Sequence, residues 1–325
     1  MISDPESVEK ALKKMPEGAG KEDIKRRLEY QKEVDYASKL IKIAEEDLES
    51  SKILFENRKY SNSVSDFQQS VEKSNKALFL LNEVLKSQEL RKRVNHFPSK
   101  KHLEDIRTNL KKASNLKEAI ENNPKLKEIP MIKKLDLGDF QKKAIEAEKI
   151  ISNVSNEGKI YSDNLEILDQ NLLEMERILV HAENFEAKKL DKITEEELAS
   201  EWISNVKAFS KMKREEGIGI SEEEEREALE VSGEFLRHLA LRNAQSMVYE
   251  GTSHAINSVL NFFIEPHFNF LRYPDKKNPL EYYTLENPLV KRLTKLIDIQ
   301  RRNLKIHERY IEFIRSSFAD VAIED

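Results

Sequence analysis

The sequence predicts an all-α protein, and three observations carry that prediction. Glycine and proline number only 8 and 9 in 325 residues, so few positions interrupt a regular helix. Hydrophobic residues make up 38% of the chain and charged residues 35%, a balance that suits a buried core beneath a charged surface. Apolar residues recur at helical spacing, and no window shows the alternation of a half-buried strand.

Composition and motifs narrow the classes of function. There is no cysteine, which excludes disulfides and thiolate metal sites. The sequence has neither a His-Glu-x-x-His motif nor a glycine-rich phosphate loop, so metal hydrolase and P-loop functions are not predicted. The formal net charge of −5 gives no general attraction to nucleic acid, although it is compatible with a local basic patch. We therefore predict neither a metal nor a cofactor.

The sequence gives no sign of export or membrane insertion. Its N-terminus lacks the basic and then apolar region of a secretory signal. The most apolar segment, 255–271, contains asparagine, glutamate, proline and histidine, so we predict a buried helix there and no membrane span. These observations predict a cytoplasmic protein.

The N-terminal third reads as a leader followed by three helices. Residues 1–34 are polar and include proline and glycine, so a loose leader with short helical pieces is predicted. Apolar residues at helical spacing predict a first helix over 35–56, and the turn 57–59 separates it from a second helix over about 60–90. Ser99, after a proline, is a good N-cap for the third helix.

The middle of the chain carries an apolar stripe with heptad spacing. The stripe runs from Phe140 to Ala182 in steps of four and three without a slip. A single helix over this stretch would form a coiled-coil-like arm of roughly 70 Å. Gly158 lies on the stripe and could instead bend the chain back into a hairpin, so over 139–187 both forms are open.

Two later helix starts are marked by N-terminal capping residues. Thr194 precedes Glu197 by three positions, and Ser221 precedes the four glutamates 222–225. A final helix is predicted over 289–318. We accordingly divide the chain into a polar leader, the first part of a bundle, a helical insertion with the heptad arm, and the second part of the bundle. Their predicted bounds are 1–34, 35–115, 116–233 and 234–325.

Several motifs occur together in an order typical of one family. Residues 44–48 read AEEDL, 67–78 read FQQSVEKSNKAL, His102 and Leu103 open the third helix, and 272–275 read RYPD. This set resembles the HEPN domain superfamily and overlaps with its abortive-infection branch. The resemblance implies an up-and-down helical bundle interrupted by a long helical insertion. Such domains are usually dimers that bind nucleotides, pair with a nucleotidyltransferase or cut RNA without a metal.

The resemblance suggests a ligand or partner surface in two places. One is a polar stripe beside the apolar face of the second helix, at the motif positions Gln69, Glu72, Lys73 and Lys76. The alternative for this stripe is pairing on the helix surface, as between residues 72 and 76. The other place is Arg272 with Tyr273, which would contact a phosphate and a base, or would instead clamp the loop.

The resemblance also suggests catalytic residues, because RNA-cutting members use an arginine and a histidine four to six residues apart. Arg302, Asn303 and His307 match that form. The histidine would act as acid or base, the arginine would hold the phosphate, and the asparagine would orient them. Arg91 and His96 match the spacing alone. The alternatives are a solvated or salt-bridged face for the first pair and a basic helix end for the second.

We therefore predict a homodimeric HEPN-like binding or assembly module. It would recognise a nucleotide, an RNA or a partner protein such as a nucleotidyltransferase, in a defence or toxin–antitoxin type of system. Two alternatives stay open at this point. The chain could be a metal-independent endoribonuclease, or a structural coiled-coil protein held together by its arm.

Overall fold

Every regular element that the structure describes is a helix. The computed structural model describes residues 19–94, 98–123, 126, 138, 141–142, 145, 163–185, 194–215, 221–230, 233–272 and 278–321. Their helices are α1 Ala19–Glu56, α2 Tyr60–Leu81, α3 Ser87–Arg93, α4 Pro98–Asn122, α5 Leu165–Glu183, α6 Glu195–Glu215, α7 Glu222–Leu229, α8 Gly233–Ile264, α9 His267–Arg272, α10 Pro279–Tyr282 and α11 Pro288–Val321. Among them, none combines the length and the apolar character that crossing a membrane requires. The predicted all-α fold class is confirmed.

The chain divides into two compact units. The first comprises Met1–Lys101, Asn153–Asn184 and Ser246–Asp325, and the second comprises His102–Ser152 and Phe185–Gln245. The four predicted segments stay a prediction. The units are drawn differently from those segments, because α5 belongs with the bundle of the first unit.

Helix α2 lies at the centre of the first unit. It packs against α1, α9, α10 and α11, and most of its residues are buried. Phe67, Val71 and Leu78 are at most 1% exposed, so the predicted apolar stripe faces the core. Because four helices pack around α2, few of its residues are exposed.

The start of the first helix and the end of the second differ from the prediction. Helix α1 begins at Ala19 and not at residue 35, since Val34 is fully buried and the Tyr30 hydroxyl donates to the Leu81 carbonyl at 2.6 Å. Helix α2 ends at Leu81 and not near residue 90. There Glu83 adopts a left-handed backbone with a φ of 53° and stops the helix, a role that sequence patterns assign to glycine or asparagine.

A residue with a left-handed backbone also ends α1, in the turn that leads to α2. The N–H of Arg58 donates to the Phe55 carbonyl at 2.9 Å, and the N–H of Lys59 donates to the Leu54 carbonyl at 2.8 Å. This pair of bonds is the Schellman motif, with Arg58 at its left-handed position and a φ of 59°. The predicted break at 57–59 is confirmed, and it is a tight one.

Helix α5 holds the second half of the heptad stripe and packs along α11. Its stripe residues are at most 1% exposed. They are Leu168, Leu172, Met175, Leu179 and Ala182. Asn164 has an extended backbone and caps the helix through Ile167 N–H at 3.1 Å, so residues 139–187 do not form one continuous helix. Most of the stripe before residue 163 lies outside the described residues, and the hairpin stays a prediction.

The described part of the second unit confirms both predicted helix starts. The Thr194 hydroxyl accepts from Glu197 N–H at 3.1 Å, and Ser221 accepts from Glu224 N–H at 3.1 Å. The Trp202 indole donates to the Ala228 carbonyl at 2.6 Å and so ties α6 to α7.

Candidate functional site

The polar side chains of the α2 stripe have contacts within the chain. Lys76 Nζ lies 2.5 Å from Glu72 Oε1, which is the pairing along one helix that the sequence left as an alternative. Lys73 forms an ion pair with Asp47 of α1. Gln69 Nε2 approaches Asp66 Oδ1 at 3.5 Å. Gln69, Lys73 and Lys76 are partly exposed, whereas Glu72 is buried. The use of this polar strip as a ligand or partner surface stays a prediction.

Carboxylates beside this strip are partly shielded from water. Burial raises the pKa of Asp47, and the neighbouring Lys73 ammonium offsets part of that rise. Burial, followed by the charge of Asp47, also raises the pKa of Asp66. The strip is therefore a cluster of linked charges whose positive groups are already engaged.

His307 lies inside the bundle and not on its surface. The side chain is 0% exposed. Its Nδ1 lies 2.9 Å from the Asn303 carbonyl and its Nε2 lies 3.3 Å from Asn257 Nδ2. Because a carbonyl only accepts and an amide nitrogen only donates, the neutral tautomer with the proton on Nδ1 fits both contacts. Burial lowers the pKa of His307 to about 4.

Arg302 points away from His307, toward α5. Its Nε and one terminal nitrogen donate to the two carboxylate oxygens of Glu183, at 2.8 and 2.7 Å. These charge-assisted bonds lower the pKa of Glu183 and raise that of Arg302. The predicted arginine and histidine are therefore not brought to a common surface of the chain. The salt-bridged face, left as an alternative for Arg302, is the arrangement observed.

Asn303 belongs to a buried polar network that the sequence reasoning missed. Its Nδ2 donates to Asn257 Oδ1 at 2.7 Å, and Ser74 Oγ donates to the same oxygen at 2.8 Å. Gln300 extends the network to Ser70 at 3.4 Å. All these side chains are fully buried. The available signal was the placement of small or polar residues at core positions of α2, α8 and α11.

The remaining sequence candidates fall at the edge of the described structure. Arg91 lies in α3 and Arg272 is the last residue of α9, but their side chains are outside the described residues. His96 and Tyr273 lie outside the described residues altogether. Their predicted roles stay predictions. Within the part of the chain that is described, no group of three or more potential metal-binding side chains was found.

A cavity of about 480 Å³ opens at the turn between α1 and α2. This turn cavity is lined by residues 58–62 together with Leu280, Tyr283 and Thr284. Its lining includes two cations, Arg58 and Lys59, and no carboxylate. Its size falls in the range of small-ligand sites. The sequence reasoning used this turn only as a helix boundary.

Comparison with known families agrees with this bundle. The HEPN domain family model matches residues 37–130. Over these residues the chain is similar to the HEPN family. The match begins in α1, runs through α2 and ends shortly after α4, and it confirms the resemblance stated from the motifs. No curated protein and no solved structure matched the chain.

Proposed function

We propose that this HEPN-domain protein is a binding module that recognises RNA or a nucleotide and does not cut it with Arg302 and His307. The observation that supports the proposal is the complete burial of His307. A catalytic histidine must exchange a proton with its substrate through direct contact or one water. This ring has both nitrogens in contact with internal groups of the bundle.

The state of Arg302 supports the same proposal. An arginine that holds a phosphate needs its planar donor edge free, and here Glu183 occupies that edge with two bonds. A phosphate would have to displace a carboxylate of the same sign. We further propose a homodimer, a nucleotidyltransferase-type protein partner and a defence or toxin–antitoxin setting, as the family resemblance implies.

The test measures binding and cleavage in the same samples. A labelled mixed RNA pool and, in separate samples, labelled ATP are incubated with the full chain in EDTA. Anisotropy reports binding of each probe, and gel electrophoresis reports RNA fragments. Arg302→Gln is the informative variant, because its side chain is partly exposed and its loss is not expected to unfold the bundle. Arg301→Gln is the matched control, since the neighbouring Arg301 makes a single exposed contact with Glu49.

We expect bound, intact RNA with all three proteins. Cleavage in EDTA that is lost in the folded Arg302→Gln protein and kept in Arg301→Gln would overturn the proposal in favour of the endoribonuclease. If the chain neither binds nor cuts RNA or nucleotides, the proposal also fails, and the structural coiled-coil alternative gains support.

A further inference from the structure

The turn cavity differs in charge from its surroundings. Neither Arg58 nor Lys59 forms an ion pair with any residue in the described ranges, although the chain has 60 acidic residues and a net charge of −5. On the nearby helices, Lys52 lies 4.0 Å from Glu56, and Lys73 and Lys76 are ion-paired. Two adjacent cations facing one cavity without a carboxylate create a local positive potential.

A second cavity provides a comparison within the same unit. It has a volume of about 600 Å³ and lies between the N-terminal half of α1 and the end of α2. The positive and negative residues in its lining are equal in number: Arg26, Lys32 and Lys86 on one side, and Glu29, Glu33 and Glu83 on the other. Two of these pairs are direct: residue 26 with residue 83 at 3.3 Å, and residue 86 with residue 29 at 3.1 Å. The turn cavity is therefore the one of the two that would attract an anion.

The other groups of the turn cavity suit a phosphate and the sugar or base attached to it. Ser61, Asn62 and Thr284 supply neutral hydrogen-bonding side chains. Residues 60–62, the first turn of α2, line the cavity, and the helix has no side-chain cap that would occupy its first N–H groups. Leu280, 73% exposed, and the half-buried Tyr60 ring add apolar surface at the side.

We propose that the turn cavity binds a phosphate group of a nucleotide or of an RNA strand. The side chains of Arg58 and Lys59 neutralise the phosphate, and the first turn of α2 with Ser61 and Asn62 donates hydrogen bonds to its oxygens. This inference rests on the proposed function, because it places the ligand of that function at a defined site.

Arg58→Gly is a sharp test because it removes the cation and suits the backbone. Arg58 has a φ of 59°, where glycine is less strained than any other residue, so the variant should fold at least as stably as the wild type. Glu83→Gly is the matched control. It makes the same change at the equivalent left-handed position of α2, with a φ of 53°, and lies outside the turn cavity. Lys39→Gln is the charge control on the exposed face of α1.

Binding is measured by fluorescence anisotropy with a 5′-phosphorylated oligoribonucleotide, its 5′-hydroxyl counterpart and labelled ATP. We expect Arg58→Gly to weaken binding about tenfold, and to lower the slope of log affinity against log salt by about one for each phosphate that is no longer neutralised. Both controls should bind as the wild type does. Weaker binding of all three probes would indicate that the cavity accepts both internal and terminal phosphates. Weaker binding of the 5′-phosphorylated strand and ATP alone would indicate that it accepts only a terminal phosphate.

Backbone amide NMR provides the direct reading of the site. Titration with inorganic phosphate should shift the amides of Tyr60, Ser61 and Asn62 in the wild type and in Glu83→Gly, and shift them less in Arg58→Gly. RNA binding that is equal in wild type and Arg58→Gly would overturn this inference and leave the proposed function standing. Phosphate-induced shifts at these amides, without any RNA or nucleotide binding, would support the site and overturn the proposed function.

Discussion

At the scale of single residues, the role of a side chain depends on whether it lies on the surface or in the core. His307 has the sequence spacing from Arg302 that is expected of a catalytic histidine. It is nevertheless buried, with Asn257, Asn303 and the backbone of α11 around it. An imidazole in this setting is a hydrogen-bonding core residue, because both ring nitrogens have internal contacts. His267 is a second example, fully buried with Nδ1 2.6 Å from the Tyr283 hydroxyl.

Buried neutral histidines make stability depend on pH in a definite direction. Burial lowers the pKa of His307 from 6.5 to about 4. Below pH 6.5 the unfolded chain binds a proton that the folded chain does not, so stability is lost as the pH falls from about 6.5 toward 4. We expect the unfolding free energy to fall by up to about 3 kcal/mol from this group alone.

Urea denaturation at pH 7.5, 6.0 and 5.0 measures this effect. His307→Gln removes one titrating group, so its stability should fall less steeply with decreasing pH, by up to one proton per molecule between pH 6 and pH 5. Glutamine lowers the stability at every pH, but only the slope bears on the prediction. Equal slopes in the two proteins would show that His307 is accessible to protons in the folded state.

At the scale of the helix, α5 combines an apolar stripe with a row of acidic residues. Asp169, Glu176 and Glu183 are spaced by seven and pair with cations of α11. Those cations are Arg292, Lys295 and Arg302. The residue numbers rise together on both helices, so α5 and α11 run parallel. The charges fix the register of the pair, and the buried stripe supplies most of its free energy.

This division of roles predicts unequal effects of two substitutions in α5. Leu172→Ala should lower the unfolding free energy by about 3 kcal/mol, because it leaves a cavity at a fully buried position. Glu183→Gln should lower it by only about 1 kcal/mol, since that ion pair is partly exposed. Equilibrium unfolding in urea distinguishes the two. If Glu183→Gln lowered the unfolding free energy as much as Leu172→Ala does, the buried stripe would not be the main source of stability in this helix pair.

At the scale of the whole molecule, the first unit is built from segments far apart in the chain. Helix α2 supplies Ser70 and Ser74 to the buried network, and α8 and α11 supply their partners from beyond residue 250. The HEPN match ends at residue 130 and so covers only part of this arrangement. The bundle is complete only when the C-terminal helices have docked.

This arrangement predicts that a fragment of residues 1–130 does not fold cooperatively. Without α8 and α11, the apolar face of α2 and its buried serines would be exposed to water. Circular dichroism with urea should show residual helix and a broad transition for the fragment, against a sharp transition for the full chain. A sharp transition and dispersed amide signals from the fragment alone would contradict the prediction.

The sequence by itself determined the features that depend on neighbours a few residues away. Capping at Thr194 and Ser221, the break at 57–59, the apolar faces of α1 and α2 and the family motifs are all local, and helical spacing reports them directly. The predicted start of α1 and end of α2 were wrong because they depend on the tertiary contact of Tyr30 and on the left-handed backbone of Glu83, neither of which has a strong local sequence signal.

Only the tertiary structure decided what the polar residues do. Arg302, Asn303 and His307 share one helix and one motif, yet they face Glu183, Asn257 and the core, because neighbours more than forty residues away set their surroundings. The turn cavity likewise joins residues 58–62 to Leu280, Tyr283 and Thr284. Burial and charge balance are properties of several chain segments together, so spacing along the sequence cannot separate a catalytic histidine from a structural one.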